Sequence, residues 1–281
     1  MPTDQNSLGA PAKQRAASWA QELIGQQNPP QGPFVCWHLR KKFSVMAALF
    51  QKYLSPESRI ADIGCGDGDA LVIASLCGFS SELWGIDMDS ASLQRARERL
   101  PAAKLHQGDM HDPYVLPGEY FDVVHEFGAA FLSKGWNILA RAYMGLLKDG
   151  GILLWELPQR WSLAHIAYLL TVAPKLTEDE PKLKRLLRSV LPSKYRFESD
   201  QSVMNALQTS GCGYEILEKV SVGSFYCPKL LHFLLDWAWR YFGDGMFDTL
   251  DRITRSVWPK DVGYYLVIRK RMRSESFPRL P

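Results

Sequence analysis

The sequence predicts an α/β protein whose central sheet is mostly parallel and is covered by helices on both faces. Two observations support this fold class. From Arg59 onward, short apolar runs alternate with longer stretches of helical periodicity, as in successive β-α-β units. The chain of 281 residues is also 46% hydrophobic and 12% aromatic, which provides enough apolar side chains for a sizeable core.

The predicted elements follow one another in chain order. A helix is predicted over Trp37–Leu54, where apolar residues recur at helical spacing until Ser55 and Pro56 end it. Five strands are predicted next, over Arg59–Ile63, Glu82–Ile86, Lys104–Gln107, Phe121–His125 and Ile152–Glu156. The helices predicted between them are Ala70–Leu76, Ser90–Leu100 and Ile138–Leu147. Two later strands, over Tyr214–Val222 and Val262–Lys270, predict an antiparallel pair at one sheet edge.

The chain is expected to contain one domain behind a short lead-in. Residues 1–33 are polar and rich in Gly, Pro, Gln and Ala, which predicts a flexible segment. Residues 34–281 are expected to form a single domain, with helical insertions at about 159–212 and 226–260 that fall outside the strand–helix alternation. We expect these insertions to lie over the ligand-binding rim of the sheet.

The composition argues against several classes of protein. A net charge of +3 is small for a nucleic-acid-binding protein, so no nucleic-acid partner is expected. The five cysteines are scattered, without metal-ligand spacing, so neither a metal site nor a disulfide framework is expected. No secretory signal is apparent, and the most apolar window, Leu230–Phe242, is too short to cross a bilayer. We therefore expect a cytoplasmic protein with reduced thiols.

The most informative motif is the glycine-rich turn after the first predicted strand. Gly64, Gly66 and Gly68 stand at alternate positions, and a helix follows them. Glycine is required where the backbone takes a positive φ or passes close to a ligand. In an open α/β sheet, ligands bind beyond the carboxyl ends of the strands, where this turn is expected. The G-x-G-x-G spacing differs from the G-x-G-x-x-G spacing of dinucleotide-binding turns.

Carboxylates around this turn indicate the charge of its ligand. Asp62, Asp67 and Asp69 would repel a pyrophosphate, which needs an uncrowded helix N-terminus. They would favour S-adenosylmethionine, a nucleoside that carries a cationic sulfonium and a cationic amino group but no phosphate. The alternative is a tight turn that binds no ligand.

Two further acids support a nucleoside ligand. Asp87 ends the second predicted strand, where a carboxylate can accept hydrogen bonds from both ribose hydroxyls. The alternative is that Asp87 or Asp89 caps the following helix, a role that suits position 89 better. After the third strand, Asp109 could accept a hydrogen bond from the adenine amino group while Met110 packs on the ring. The Gly-Asp pair at this position is equally a turn signal.

The order of these motifs resembles that of the class I (Rossmann-like) S-adenosylmethionine-dependent methyltransferases. Phe121–Val124 is similar to the family's fourth strand, and Leu146–Gly151 to its Leu-Lys-Pro-Gly-Gly turn, with Asp149 in place of proline. The resemblance covers residues 34–157 well. It implies a doubly wound, seven-stranded sheet with an antiparallel final strand and S-adenosylmethionine as the cofactor.

The resemblance also implies which residues bind the cofactor. The methionine side would be lined by Asp62, Gly64, Gly66 and Gly68, the ribose by Asp87, and the adenine by Asp109 and Met110. Cys65 and Met88, which lie between these positions, are assigned to the cofactor as well.

The predicted catalytic residues follow the fourth strand. Methyl transfer requires alignment of nucleophile, carbon and sulfur, and a general base only when the acceptor is a hydroxyl or a protonated amine. His125 could be that base, and Glu126 could bind the amino group of the cofactor or of an amine acceptor. The alternative for His125 is a hydrogen-bonded structural residue. The stretch differs from the Asn-Pro-Pro-Tyr pattern of methyltransferases that act on adenine or glutamine side chains.

Two flanking segments are expected to select the acceptor. In the family that this sequence resembles, the helix before the first strand often folds over the cofactor, so Trp37 and Arg40 are assigned to the cofactor, with Arg40 facing its carboxylate. The alternative places Trp37 in the core. The segment Phe225–Phe242 is apolar on nearly all sides, which predicts core packing, a lid over a lipophilic acceptor, or contact with a membrane surface.

The sequence therefore predicts an enzyme that transfers the methyl group of S-adenosylmethionine to oxygen, nitrogen or carbon of a small, lipophilic metabolite. Two alternatives stay open. One is a non-catalytic S-adenosylmethionine-binding or scaffolding protein, and the other is a nicotinamide-dependent oxidoreductase. The sequence identifies neither the acceptor nor the oligomeric state.

Overall fold

Seven strands form one sheet in the computed structural model of the chain. The strands are β1 Arg59–Ile63, β2 Glu82–Asp87, β3 Lys104–Gln107, β4 Phe121–Glu126, β5 Leu147–Pro158, β6 Tyr214–Ser221 and β7 Gly263–Lys270. The helices are α1 Pro33–Tyr53, α2 Asp69–Leu76, α3 Ser90–Arg99, α4 Trp136–Leu146, α5 Asp200–Gln208, α6 His232–Phe242 and α7 Asp244–Val257.

The structure describes residues 32–79, 82–129, 135–158, 200–223, 232–257 and 263–272, together with Ser18. Most of the predicted lead-in at 1–33 and residues 159–199 of the first predicted insertion therefore lie outside the described residues. The second predicted insertion contains α6 and α7. None of the helices in these described ranges combines the length and the apolar character that a bilayer span requires.

The strand order creates a crevice beside β1 and β4. The order is β3-β2-β1-β4-β5-β7-β6. Parallel pairing joins β1 to β2, β1 to β4, β2 to β3 and β4 to β5. The chain moves from β1 toward one edge and returns to β4 on the other side of β1. In such sheets, ligands bind beyond the carboxyl ends of the strands at this switch point, where the turn after Ile63 lies.

The last two strands run antiparallel to each other. The backbone N–H of Val222 donates to the carbonyl oxygen of Gly263 over 3.1 Å, at one end of the pair. At the other end, the N–H of Arg271 donates to the carbonyl oxygen of Gly213 over 2.9 Å. The predicted doubly wound, seven-stranded and mostly parallel sheet with an antiparallel edge is confirmed.

Two element boundaries differ from the predicted ones by more than two residues. β5 begins at Leu147 because its pairing with β4 shifts between Phe121–Leu147 and Val123–Ile152. The predicted turn at 146–151 is thus absorbed into the strand as an irregularity, with Gly150 at φ 78°. The first helix begins at Pro33 rather than at Trp37, since proline is favoured at the first position of a helix.

Packing divides the described residues into two compact units. The sheet unit comprises those within 49–156, 200–219 and 265–281, and the helical unit comprises those within 1–48, 157–199 and 220–264. The sheet unit holds the five N-terminal strands almost entirely, and β1 is buried from Ile60 to Ile63. Near-continuous burial is expected of a strand at the centre of a parallel sheet. That residues 34–281 form a single domain stays a prediction.

An aromatic cluster forms the core of the helical unit. It consists of Phe34, Trp37 and Phe247, with Leu235, Trp239 and Met246 packed against it. The Phe34 and Phe247 rings meet edge to face with centroids 5.6 Å apart, and Trp37 lies 5.4 Å from Phe247. The cluster therefore joins α1 to α7 through ring contacts, which stabilise beyond the area that they bury, and α6 packs against it.

Phe247→Ala is expected to destabilise the helical unit by about 3–5 kcal/mol, because truncating a buried Phe leaves a cavity. The free energy of unfolding can be measured by urea denaturation followed by circular dichroism. Phe242→Ala is the matched control: its ring is exposed, so the expected change is below about 0.5 kcal/mol. Equal effects of the two substitutions would contradict the assignment of Phe247 to this core.

Candidate functional site

The turn after β1 requires its three glycines. Gly64, Gly66 and Gly68 all have a positive φ, of 73°, 51° and 80°. A Cβ on Gly64 would lie 2.5 Å from the Cβ of Ala129, so this glycine also permits a close approach of the loop after β4. No described atom lies within 4 Å of the position that a Cβ on Gly66 would occupy. The middle of the turn therefore has open space above its backbone.

Four backbone N–H groups of this turn donate within the protein. Those of Gly64 and Cys65 both donate to the carbonyl oxygen of Ile86, over 2.8 and 3.0 Å. The N–H of Gly66 donates to a carboxylate oxygen of Asp87 over 2.8 Å, and that of Gly68 donates to the carbonyl oxygen of Cys65. A pyrophosphate-binding turn directs such groups at its ligand. Their internal bonds argue against a dinucleotide at this turn.

Asp87 is held in a fixed orientation by two backbone donors. One carboxylate oxygen accepts the N–H of Gly66, and the other accepts the N–H of Asp89 over 2.8 Å. Asp89 caps α3, because its side chain accepts from the backbone of Ala91 and Ser92. The alternative that Asp87 caps this helix is therefore wrong. Its carboxylate is ordered at the end of β2, and its contact with a ribose stays a prediction.

The acidic residues on the helix side of the turn are neutralised. Asp67 forms a bidentate ion pair with Arg95, over 2.8 and 3.0 Å, and the Arg95 guanidinium lowers the pKa of Asp67. Asp69 pairs with Arg99 over 2.8 Å. The expectation that these two carboxylates repel an anion is therefore wrong, because each faces an arginine of α3. Selection against a diphosphate depends instead on the bonded N–H groups of the turn.

The Cys65 thiol is directed into the sheet unit. A Cβ on Gly85 of β2 would lie 2.8 Å from its Sγ, and burial raises the pKa of the thiol. The same Sγ lies 3.8 Å from the carbonyl oxygen of Gly66. The assignment of Cys65 to the cofactor stays a prediction.

The loop after β3 is tied to the end of β2. The N–H of Gly108 donates to the carbonyl oxygen of Asp87 over 3.0 Å. One oxygen of Asp109 accepts from His111 twice, from the backbone over 2.9 Å and from Nδ1 over 2.5 Å. Met110 is buried and Met88 is exposed. These residues surround the predicted adenine position, and their contact with adenine stays a prediction.

His125 lies in a fully buried chain of polar groups. Its Nδ1 is 2.8 Å from Asp62 Oδ1, and its Nε2 is 3.3 Å from the hydroxyl of Tyr265. The edge of Phe50 covers the ring, with centroids 5.2 Å apart. A catalytic base needs a ring nitrogen within reach of the acceptor. Because both nitrogens are engaged and the side chain is buried, the assignment of His125 as a base is corrected to a structural role.

The contact with His125 gives Asp62 a structural role. Its carboxylate is buried and accepts the imidazole, so it orients His125 between β1 and β4. Burial also raises the pKa of the Tyr265 hydroxyl well above its usual value, which keeps this group protonated. A protonated Tyr265 can donate to Nε2 while Nδ1 donates to Asp62, and this arrangement satisfies all three side chains.

Glu126 remains at the carboxyl end of β4, where the sequence predicted it. Its side chain is fully buried, and one oxygen accepts the N–H of Ala129 over 2.5 Å. Glu126 and Trp155 are paired in the β4–β5 register, so their side chains lie on the same sheet face. A buried carboxylate at this edge suits a cationic ligand group.

Three other residues near this edge were not predicted from the sequence. Glu156 is buried, and its Oε2 lies 3.9 Å from the position of a Cβ on Gly128. The Tyr143 hydroxyl and the Trp155 indole N–H are buried without a hydrogen-bond partner in the described part of the chain. Glu156 could have been found from the sequence, because it is an acidic residue at the end of an apolar strand, as Asp87 is. Tyr143 and Trp155 read as ordinary core residues of an amphipathic helix and a buried strand.

Trp37 and Arg40 belong to the helical unit and are engaged there. Trp37 is buried, and its Nε1 donates to Asp248 over 3.0 Å. The Arg40 guanidinium donates to Asp244 over 2.6 Å. Their assignment to the cofactor is corrected, because α7 supplies the polar partner of each side chain. For Trp37, the alternative of core packing is the one that the structure supports.

Part of the chain is similar to a known family. Residues 60–151 match the family described as a methyltransferase domain. A trans-aconitate 2-methyltransferase of Paracidovorax citrulli is 33% identical over 105 residues, which are 37% of this chain and 40% of that protein. The ubiquinone/menaquinone biosynthesis C-methyltransferase UbiE of Campylobacter jejuni is 26% identical over 216 residues, which are 71% of this chain and 88% of that protein.

The matched segment, residues 60–151, holds β1 to β4 and the start of β5, and it is similar to a methyltransferase domain. This match is in keeping with the predicted methyltransferase activity and S-adenosylmethionine cofactor, and both stay proposals. The same fold is found in geranyl diphosphate C-methyltransferase from Streptomyces coelicolor, solved with S-adenosyl-L-homocysteine, at a TM-score of 0.53 and 15% identity. That match covers 96% of this chain and 89% of the other. The chain spans less than half the length of the trans-aconitate relative, so that relative does not give the acceptor.

Asp87→Asn is expected to weaken S-adenosylmethionine binding by the methyltransferase domain about 10- to 100-fold, since a hydrogen bond to a charged group contributes about 1.5–3 kcal/mol. The asparagine amide would also oppose one of the two backbone N–H groups that orient the carboxylate. Isothermal titration measures the affinity. In the control, Asp89→Asn, affinity should stay within about twofold, because asparagine caps helices as well as aspartate. An equal effect of both substitutions would contradict a specific role of Asp87.

Arg40→Gln is expected to leave the affinity for S-adenosylmethionine unchanged within about twofold, because the guanidinium binds Asp244. The loss of this part-exposed ion pair should lower the free energy of unfolding by at most about 1 kcal/mol. Titration of the variant and its urea denaturation test both statements. A loss of affinity of about tenfold or more, which corresponds to 1.4 kcal/mol, would restore the cofactor contact inferred from the sequence.

Proposed function

We propose that the chain transfers the methyl group of S-adenosylmethionine to a small, lipophilic metabolite. The observation that carries this proposal is the turn from Gly64 to Gly68, whose N–H groups bond within the protein and whose centre is open beside the ordered carboxylate of Asp87. This arrangement fits a phosphate-free nucleoside better than a dinucleotide. It therefore also weighs against the nicotinamide-dependent alternative.

The residues present fit the cofactor in three places. The open backbone at Gly66 would receive the methionine part, and Asp87 would accept the ribose hydroxyls. The loop at Asp109 and Met110 would hold the adenine. When bound, the cofactor supplies a methyl group on a cationic sulfur, which departs as a neutral thioether with the bonding electron pair.

Buried carboxylates at the sheet edge would favour this positive charge. Glu126 is fully buried and is oriented by the N–H of Ala129, so it is the proposed contact for a cationic amino group. In a low-dielectric environment, such a preoriented group contributes more than it would in water. Alignment of the acceptor and exclusion of water account for most of the catalysis that methyl transfer needs.

An acceptor that loses a proton during methyl transfer needs a general base other than His125. Glu126 and Glu156 are the buried carboxylates near the ends of β4 and β5. We assign one of them the role of accepting a proton from a hydroxyl, from an ammonium, or from a carbon that has gained the methyl group. A carboxylate suits this step only where it reaches the acceptor directly or through one water.

The lipophilic character of the acceptor is supported by two observations. The described helix α6 carries exposed apolar residues, in keeping with the apolar insertion seen in the sequence. Two of the similar proteins are named for ubiquinone/menaquinone biosynthesis and for geranyl diphosphate, and both are C-methyltransferases. The trans-aconitate relative, in contrast, is named for a polar acceptor. Because the names of the similar proteins disagree, the proposal rests mainly on the exposed apolar residues of this chain.

A non-catalytic S-adenosylmethionine-binding protein is the second candidate. It is favoured by the engagement of both ring nitrogens of His125, which removes the most obvious general base. A scaffold of this kind would bind the cofactor with the same residues and produce no S-adenosylhomocysteine.

Isothermal titration with S-adenosylmethionine and with NADH separates the cofactor classes, and we expect binding of the former alone. Release of S-adenosylhomocysteine is then measured with two matched acceptor panels, one of lipophilic phenols, quinols and prenyl compounds and one of polar acids and amino sugars. Turnover limited to the lipophilic panel is expected. Turnover of polar acceptors alone would overturn the acceptor class, and binding without turnover on either panel would favour the scaffold.

A further inference from the structure

Helix α6 of the helical unit presents two apolar faces. On one face, Leu235 and Trp239 pack against the aromatic cluster of Phe34, Trp37 and Phe247. On the other face, Leu234, Trp237 and Tyr241 follow one another at spacings of three and four residues, which places them in one stripe. A surface helix of a globular protein normally has a single apolar face, which is turned toward the core.

The outward stripe is exposed to solvent. The relative exposures are 49% for Leu234, 58% for Trp237 and 70% for Tyr241, and the adjacent Phe242 is 69% exposed. The Trp237 and Tyr241 rings lie against each other with centroids 5.2 Å apart. Single exposed apolar residues need no explanation, but a contiguous group with two amphipathic aromatic rings marks an interaction surface. We call Leu234, Trp237, Tyr241 and Phe242 the aromatic stripe.

Acidic residues of α6 and α7 are bonded to α1. Asp236 accepts the N–H of Phe34 over 3.0 Å, and Asp244 accepts from Arg40 over 2.6 Å. In the same way, Asp248 accepts from Trp37 over 3.0 Å and Asp251 from Lys41 over 2.5 Å. These four are all the aspartates of the two helices, which contain no glutamate. The carboxylates of both helices are therefore engaged on the α1 side.

Each of these two helices carries an exposed arginine. Arg240, three residues beyond Trp237, is exposed and forms no ion pair with any carboxylate in the described ranges. Arg252 of α7 is also exposed, and its guanidinium contacts only the Thr249 hydroxyl there. Arg240 therefore adds to the exposed face of α6 a positive charge that has no ion-pair partner among the described residues. On α7, the exposed Asp248 lies one turn before Arg252.

This charge distribution distinguishes between two occupants of the stripe. In a symmetric dimer, the same patch would meet itself, so unpaired arginines would approach unpaired arginines. An anionic bilayer surface provides the missing negative charge, and its headgroup region suits Trp and Tyr rings that have an apolar body and a polar tip. The combination of aromatic and basic side chains on one exposed helix face therefore favours a lipid surface.

We propose that α6 docks on an anionic membrane surface, with its axis parallel to the bilayer and the aromatic stripe inserted at the level of the headgroups. Helices of this kind bind reversibly through buried apolar area and attraction to anionic lipid. The proposal goes beyond methyl transfer and requires neither cofactor nor acceptor. Docking would bring the protein to the phase in which lipophilic acceptors concentrate.

The test is cosedimentation of the full chain with vesicles, in the absence of cofactor and acceptor. One set of vesicles contains phosphatidylcholine alone, and the other contains phosphatidylcholine with phosphatidylglycerol. We expect binding to the anionic vesicles and a blue shift of tryptophan fluorescence. Trp237→Ser combined with Tyr241→Ser should reduce the partition at least about tenfold, because most of the inserted ring area is removed. Arg240→Gln should reduce it about fivefold, with a smaller effect at high salt.

The matched control is Tyr114→Ser, which removes the most exposed tyrosine of the sheet unit and should leave vesicle binding unchanged. Circular dichroism and titration with S-adenosylmethionine verify that each variant is folded. A parent protein that stays in the supernatant with both vesicle types would overturn the proposal, as would equal binding by the parent and the stripe variant. Sedimentation equilibrium without lipid decides the remaining case: a dimer that dissociates in the stripe variant would identify the surface as a self-interface and refute lipid docking.

Discussion

The cofactor site depends on the hydrogen bond from the Gly66 N–H to the Asp87 carboxylate. It fixes the turn after β1 to the end of β2, while the N–H of Gly108 fixes the loop after β3 to the carbonyl oxygen of the same aspartate. Three successive segments of the chain are thereby held at one residue. The carboxylate is oriented before any ligand arrives, so little ordering entropy is lost on binding. The same bond uses an N–H that a diphosphate would need, and so it contributes to the choice of cofactor.

Negative charge at the site is divided between structural and ligand-facing groups. Asp67 and Asp69 bind the arginines of α3 and thereby join the helix that follows β2 to the turn that follows β1. Asp62 is buried against His125 and orders the contact between β1 and β4. Asp87 accepts hydrogen bonds from the backbone N–H groups of Gly66 and Asp89, and Glu126 accepts the N–H of Ala129. Because backbone donors leave a carboxylate its full charge, these two are best suited to a cationic ligand.

Sequence reasoning succeeded where the information is local and failed where partners are distant in the chain. Strands β1 to β4 were predicted to within a residue. For β1 and β4, the reason is that buried parallel strands appear as short apolar runs, whereas β3 is partly exposed. The glycine turn and Asp87 were found because a tight turn and a strand end are short-range features. The roles of His125 and Arg40 depend on Asp62, Tyr265 and Asp244, which are far away in sequence and adjacent only in the fold. Composition and spacing carry no signal for such pairs.

Helix α6 is apolar on nearly all sides because one face packs against the core and the other is suited to an external partner. Leu235 and Trp239 are satisfied by the aromatic cluster, and this accounts for the core packing expected from the sequence. If the opposite face also belonged to the core, its rings would be covered by other residues. If it were an ordinary solvated face, both signs of charge would surround it. Instead, the aspartates are bonded to α1 while Arg240 and the stripe face outward. A helix that directs its acids inward and its aromatic and basic side chains outward is complementary to a negatively charged, partly apolar surface, and an anionic bilayer meets both requirements.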